Sequence, residues 1–280
     1  MNSKTISYYL KKEETSTGMI YKEEQQNIVE VFHENTKQSH TMRPMLDRSI
    51  FNHLYNPAQI FSDSRNNKNY FLKPEMTLPE ARPVDMSFEN VSLKRESCRA
   101  FNSAPLSDQE LSDLLSSLRV TRYHIPDLNK KAQLTFRTYA SAGGLYPVEI
   151  YVLRPDHTHT EWKAYHYAPK THNLTMVNSC IKQVKVIESL QDHKEYSKDC
   201  GAIIFLTGVL KRSLDKYGAL GYRFSLIEAG GILQQLGLAS AGMGLGTLAW
   251  GGAYDNEICE FLKIDGVDET FLTSFIVGHK

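Results

Sequence analysis

The chain has 280 residues, 41% of them hydrophobic, and its 32 lysines and arginines balance 32 aspartates and glutamates. That length allows one large domain or two modest ones, and zero net charge gives no basic balance for nucleic acid and no acidic tail. No run approaches the ~18 consecutive apolar residues of a membrane span. Met1-Asn2-Ser3-Lys4-Thr5 lacks an apolar signal core, so a cytoplasmic protein is expected, touching neither nucleic acid nor membrane. Cys98, Cys180, Cys200 and Cys259 are far apart, with no Cys-x-x-Cys pair and no histidine at ligand spacing. They read as reduced, mostly packed thiols, and no metal site is expected.

Residues 1–90 are polar and punctuated by Pro44, Pro57, Pro74, Pro79 and Pro83, with a loop-like run from Asp63 to Asn69. Gln26 to Phe32 has helical character. The region reads as an extension that wraps a core, since its apolar density is low for a core of its own. The main domain is expected over residues 91–280. Leu106-Ser107-Asp108-Gln109-Glu110-Leu111 predicts a helix start, with Ser107 and Glu110 as a reciprocal cap and the two leucines as a staple. Leu111, Leu114, Leu115 and Leu118 then mark one buried face.

Val148 to Leu153 predicts a strand. Trp162 to Tyr167 and Leu174 to Val177 flank a turn and predict a hairpin. Ala202 to Val209 predicts a buried strand. Tyr222 to Ala241 predicts a long helix, apolar on most of its circumference and therefore buried nearly all round, at a domain centre or a subunit interface. Gly242 and Gly244 end it, and Phe271 to Val277 predicts a last strand. Strands and helices mix without strict βαβ alternation, which favours α+β.

Four constellations can carry chemistry. Lys94-Arg95-Glu96-Ser97-Cys98-Arg99 offers guanidinium and hydroxyl donors suited to a phosphate; alone, it reads as a solvated basic surface. Ser141-Ala142-Gly143-Gly144 lets backbone approach a flat ligand, or is simply a tight turn. It is neither a phosphate loop with Gly-Lys-Ser/Thr nor a dinucleotide fingerprint, because a strand follows. Gly242-Met243-Gly244-Leu245-Gly246-Thr247, then Trp250-Gly251-Gly252, brings backbone amides near a ligand, or caps a helix. Lys216-Tyr217 pairs a phenol with an ammonium that favours the phenolate; as a dipeptide it is common by chance.

In this order, the elements resemble the nitroreductase superfamily of FMN enzymes. Arg95-x-Ser97-x-Arg99-Ala100-Phe101 is similar to that superfamily's phosphate-binding run. More narrowly, the chain resembles the SagB-type dehydrogenases of thiazole/oxazole synthetases. The residues carrying this are Phe32-His33-Glu34-Asn35-Thr36-Lys37, Ser141 to Glu149, Lys216-Tyr217, Tyr222-Arg223-Phe224 and Glu228-Ala229-Gly230. Gly231 departs from the histidine expected after Glu-Ala-Gly, and Lys280 takes the place of a longer basic tail.

The resemblance implies a nitroreductase-like α+β fold, a central mostly antiparallel sheet flanked by helices, in an intertwined homodimer with FMN at the interface. It implies FMN held by Arg95, Ser97, Arg99, Ser141, Gly143, Gly144, Leu248, Gly251, Gly252 and Lys280. Tyr217 is the implied base, with Lys216 lowering its pKa or orienting it. The implied reaction is oxidation of thiazoline or oxazoline rings in a ribosomal precursor peptide to azoles, beside a cyclodehydratase partner. Residues 1–90 would then wrap the core or contact a partner or leader peptide. Two alternatives stand beside it: an NAD(P)H-dependent nitro- or ene-reductase, and a non-catalytic flavin-bound subunit of a peptide-modifying complex.

Overall fold

The structure, a computed structural model, describes residues 16–70 and 72–280, with side chains from residue 26 onward. The first part of the polar extension lies outside the described residues. Contacts divide the chain into two compact units, one ending at Arg48 and one running from Ser49 to Lys280. The first contains helix α1 (Ser16–Thr36). No helix among the described residues is long and apolar enough to cross a membrane.

From Ser49 on, strand pairing organises the chain. Helices α2 (Arg43–Leu54) and α3 (Pro57–Asp63) come first, and Asn56 caps α3 by accepting from the amides of Ala58 and Gln59. Strand β1 (Glu75–Thr77) and helices α4 (Phe88–Lys94) and α5 (Asp108–Ser116) follow. β2 (Val120–His124) and β3 (Leu134–Arg137) form a separate antiparallel ribbon. Next come β4 (Val148–Pro155), β5 (Glu161–Ala168), β6 (Asn173–Lys182), α6 (Gln183–Ser189) and β7 (Ala202–Gly208). The chain closes through α7 (Lys211–Tyr217), α8 (Leu220–Gly242), β8 (Gly246–Trp250), α9 (Asp255–Leu262) and β9 (Thr270–Gly278). Seven strands make one sheet in the order β1-β6-β5-β4-β7-β9-β8, every neighbour antiparallel.

Both faces of the sheet are covered, which explains why its central strands read as continuous apolar runs. Val148, Ile150 and Val152 pack with the leucines of α5 and with Ile232 and Leu236 of α8. Tyr151, Leu153, Ile203 and Phe205 face the opposite way, toward Val186 of α6 and Ile258 and Leu262 of α9. The α5 start forms as its sequence dictates: the Ser107 hydroxyl accepts from the Glu110 amide and Glu110 reaches back. Leu111, Leu114, Leu115 and Leu118 have no exposed surface.

Three elements differ from their sequence expectation. Helix α8 is not buried nearly all round in the single chain: Ala229, Ile232 and Leu236 are covered, but Leu226 and Ile227 are 42% and 68% exposed. One sheet can cover only one side of a helix. The glycine-rich segment after α8 is only partly a turn. Gly244 turns at φ +76°, and Gly246 then begins β8, because Leu248 inserts into the core beside Ile276. Finally, residues 49–90 join the sheet-bearing unit: β1 pairs with β6, and Ile60 and Leu78 are buried. Of the cysteines, Cys200 and Cys259 are buried and none is bonded to another.

Candidate functional site

The site is assembled at one end of α8. Gly208 closes β7, the chain turns into α7, and Gly218 at φ +57° turns it again into α8. That tight return holds because Gly221 has no side chain: a Cβ there would lie 2.7 Å from the Ser213 backbone. Lys216 and Tyr217 thus end a short helix wedged against a long one. The Ser49 hydroxyl donates to the Lys216 carbonyl at 2.9 Å, and the Tyr217 ring meets Phe224 edge-on at 5.0 Å.

The Ser141–Gly144 turn closes over this pair. Gly143 adopts φ +64°, and a Cβ on it would stand 2.5 Å from Tyr217 Oη and 2.7 Å from Lys216 Nζ. An ammonium or amine, a phenol and a glycine backbone are therefore juxtaposed from segments more than seventy residues apart in sequence. Lys216 is buried, and burial draws its pKa down, with Asp63 working the other way. Burial also pushes the Tyr217 phenol up. The sequence expectation was that Lys216 favours the Tyr217 phenolate. Desolvation dominates instead, disfavouring the charged form of each group: the phenol keeps its proton and the amine is the group drawn toward neutrality.

Behind the turn lies a buried polar network that the sequence did not mark as a site. Glu228 of α8 accepts from the Val148 amide at 3.2 Å through Oε1, while Oε2 has no partner. Burial pushes its carboxyl up to about 7, against the pull of the Ser141 hydroxyl and Arg137. The Ser141 hydroxyl also accepts from the Tyr146 amide at 2.9 Å, fixing the turn. Arg137 donates to Tyr139 Oη at 2.6 Å and stacks over the Tyr146 ring. Glu149 pairs with Arg212 at 2.6 Å and accepts from His166 at 2.7 Å. Burial alone would raise the Glu149 carboxyl, but Arg212, His166 and Arg137 hold it well below the usual range. Only Glu149 and Glu228 appeared in the sequence reading, inside motifs. His166 and Arg212 carried no signal, because Glu149, the partner they share, lies on β4, remote from both in the chain; nor did Arg137, whose contacts include the Val148 carbonyl of β4.

The remaining expected residues lie elsewhere. The bridge between Ser97 and Thr247 and the Cys98 amide donating to the Thr247 carbonyl at 2.7 Å lay the Arg95–Arg99 run along β8. The Arg95 stem approaches Gly237 of α8. Lys280 reaches the same place and pairs with Glu96 at 2.7 Å. A cavity of about 550 Å³ opens here, lined by Lys94, Glu96, Lys280 and the Gly242–Leu245 turn. Gly246 and Lys280 mark this end of the sheet. Gly251 and Gly252, just past Trp250, lie toward the end that carries Val148 and the Ser141–Gly144 turn. Glu228 and Gly237 are nine residues apart on α8, roughly 14 Å at 1.5 Å per residue. The single chain thus brings together Ser141, Gly143, Gly144, Lys216 and Tyr217, and separates them from Arg95, Ser97, Arg99 and Lys280. Leu248 turns its side chain into the core, so only its backbone is free for a ligand.

Both ends suit parts of one ligand. Arg95 and Arg99 are exposed and form no ion pair among the described residues, so they are free to meet an anion. The Gly143 cradle, which a Cβ would fill, suits a flat group approaching backbone. The protein is thus an α+β fold with an antiparallel seven-stranded sheet among the described residues, a cationic rim at one end and a glycine-lined amine–phenol pair at the other.

Comparison with known proteins shows the family. The Nitroreductase family matches residues 93–279. A nitroreductase-named protein of Methanocaldococcus jannaschii is 31% identical over 68% of this chain and 90% of its own. The microcin B17-processing protein McbC of Escherichia coli is 30% identical over 46% of this chain, which spans about half (49%) of that relative. Among solved structures, a chain of the E. coli microcin synthetase McbBCD complex with truncated pro-MccB17 bound superposes with a TM-score of 0.54. It is 21% identical and covers 76% of this chain and 78% of that one. The chain belongs to the nitroreductase family, a family of oxidoreductases.

Proposed function

We propose that this protein is an FMN-dependent dehydrogenase that oxidises thiazoline or oxazoline rings in a ribosomally made precursor peptide to thiazoles or oxazoles. The observation that carries the reading is the convergence of Gly143, Lys216 Nζ and Tyr217 Oη, on a turn whose Ser141 adjoins buried Glu228. Similarity to a microcin-processing protein supports the substrate class. FMN, when bound, supplies the two-electron acceptor for the ring's hydride. Arg95, Ser97, Arg99 and Lys280 would hold its phosphate, and Ser141, Gly143, Gly144, Leu248, Gly251 and Gly252 would present backbone to its ring.

The protein's own part is proton handling and positioning. Aromatisation removes one proton and one hydride from the azoline. Lys216, drawn toward the neutral amine by burial, takes the proton at Nζ. Tyr217 remains a phenol and orients the peptide ring through Oη as a hydrogen-bond donor. Gly143 leaves room for both groups, so the reacting ring meets them without a search in orientation. This exchanges the roles read from sequence, where Tyr217 was the base.

The same proposal includes a homodimer. Glu228 and the Arg95 contact at Gly237 lie about 14 Å apart along α8, and the exposed Leu226 and Ile227 lie on the same helix. Two copies sharing this face would each complete the other's site. A cyclodehydratase partner and a cytoplasmic location belong to the proposal, as does contact with a partner or leader peptide by residues 1–90.

A second reading is supported by the relative that matches over 90% of its own length and carries a nitroreductase name: an NAD(P)H-dependent reductase of nitro compounds or activated alkenes. Anaerobic stopped-flow absorbance separates the two. Bleaching of the flavin band by an azoline peptide, with loss of two hydrogens from the peptide, supports the dehydrogenase. Bleaching by NADPH alone, with an inert azoline peptide, overturns it.

A further inference from the structure

A second polar cavity, of about 570 Å³, opens behind the network of Arg137, Glu149 and His166. Its outer wall is the loop carrying Arg65 and Lys68 and the β5–β6 turn carrying Lys170. We propose that this cavity is a binding site for a small oxyanion bearing hydroxyl or acid groups, a hydroxycarboxylate or a phosphate, distinct from the flavin phosphate site.

Charge balance is the first argument. Arg65, Lys68, Arg137 and Lys170 line the cavity against the carboxylates of Glu75 and Glu149. Glu149 is already engaged by Arg212 and His166, and Lys68 by Glu269. Arg65 and Lys170 form no ion pair among the described residues. Positive charge therefore remains on both sides of the opening; among the described lining residues the carboxylate left to face it is Glu75, whose contact is the Thr175 hydroxyl at 3.5 Å.

The cavity's inner wall is buried and polar. Arg137 is 5% exposed and its Nε has no acceptor. His166 is 1% exposed; its Nε2 donates to Glu149 and its Nδ1 has no partner. Both residues line this cavity, so its inner wall holds a buried guanidinium, and an oxyanion entering between Arg65 and Lys170 approaches that third positive charge.

The lining also says what does not bind. Among the described residues, Ala168 and Pro169 are its apolar members, and the rest are charged residues, amides, hydroxyls and an imidazole. An isoalloxazine or a nucleobase would find no flat apolar platform here. The volume exceeds that of a lone ion and suits a small organic acid or a phosphate ester.

Isothermal titration of the full chain, saturated with FMN, tests the proposal with citrate, inorganic phosphate and neutral glucose as probes. Citrate or phosphate is expected to bind and glucose is not; which anion binds more tightly identifies the source chemistry. Arg65→Ala with Lys170→Ala, both at the surface, is expected to weaken binding at least about tenfold, the value of a charge-assisted hydrogen bond. Arg95→Ala is expected to leave it unchanged. Absence of anion binding, binding equal to that of glucose, indifference to the double substitution, or sensitivity to Arg95→Ala each overturns the site. The readout is binding, so the outcome is separable from failure of the dehydrogenase reading.

Discussion

The two ends of helix α8 hold functional groups of opposite character. At the Gly237 end, Arg95, Ser97 and Arg99 come from one short run and stay exposed. They act by charge, and their strength depends on a ligand excluding water from them. At the Glu228 end, groups from β4, α7, α8 and the Ser141–Gly144 turn meet in a buried space. There desolvation sets protonation: Lys216 moves down, Tyr217 up, and Glu228 to about 7. In the proposed reading one end holds a ligand and the other moves a proton. The difference follows from burial rather than from residue type, since both ends carry cations and hydroxyls.

Substitutions that separate holding from turnover test this contrast most directly. Lys216→Ala is expected to lower turnover of an azoline peptide by about 10²–10⁴-fold, the usual weight of a general base, with the flavin absorbance retained. Tyr217→Phe is expected to lose turnover as well, and full activity in both variants would break the assignment. At the other end, Arg95→Ala with Arg99→Ala is expected to weaken FMN binding by roughly a hundredfold, leaving turnover at saturating FMN intact. Fluorescence titration and initial rates on the same samples read the two quantities.

Glu228 gives a test of burial itself. Its folded-state pKa of about 7 lies above the unfolded value near 4.5. The folded state therefore keeps a proton that the unfolded state has released across that window. The resulting stability is fully present below pH 4.5 and is lost as pH rises through about 7. Glu228→Gln removes the loss. Its unfolding free energy relative to the parent should rise across the window by on the order of 3 kcal/mol, measured by urea denaturation at several pH values. A difference independent of pH would show that Glu228 ionises normally. The smallest effect is expected at Lys280, which is half exposed and paired with Glu96: Lys280→Ala should change FMN affinity by less than about fivefold.

The parts of the molecule legible in the sequence were those fixed by local rules. The α5 start followed from Ser107 and Glu110, which satisfy each other's backbone donors within one turn. Its buried face followed from the 3–4 spacing of four leucines. The strands β4 and β7 and the β5–β6 hairpin followed from apolar runs bounded by turn residues. The Arg95–Arg99 run was visible because its donors are neighbours in the chain.

What the sequence left open depended on distance. Whether α8 is covered on one face or on all of them is decided by what packs against it. Whether Gly246 continues a turn or begins a strand is decided by β9 offering a pairing edge. Lys216-Tyr217 was a chance dipeptide until Gly143 was placed against both side chains. The direction of their pKa shifts could not be read from adjacency, because desolvation depends on every neighbour and not only on the next residue. Arg137, Glu149 and His166 lie on three strands, so their network, and the cavity behind it, exist only once the sheet has formed. Sequence determined which groups the protein owns and the elements that carry them; tertiary structure decided which are dry, which are paired, and therefore which can react.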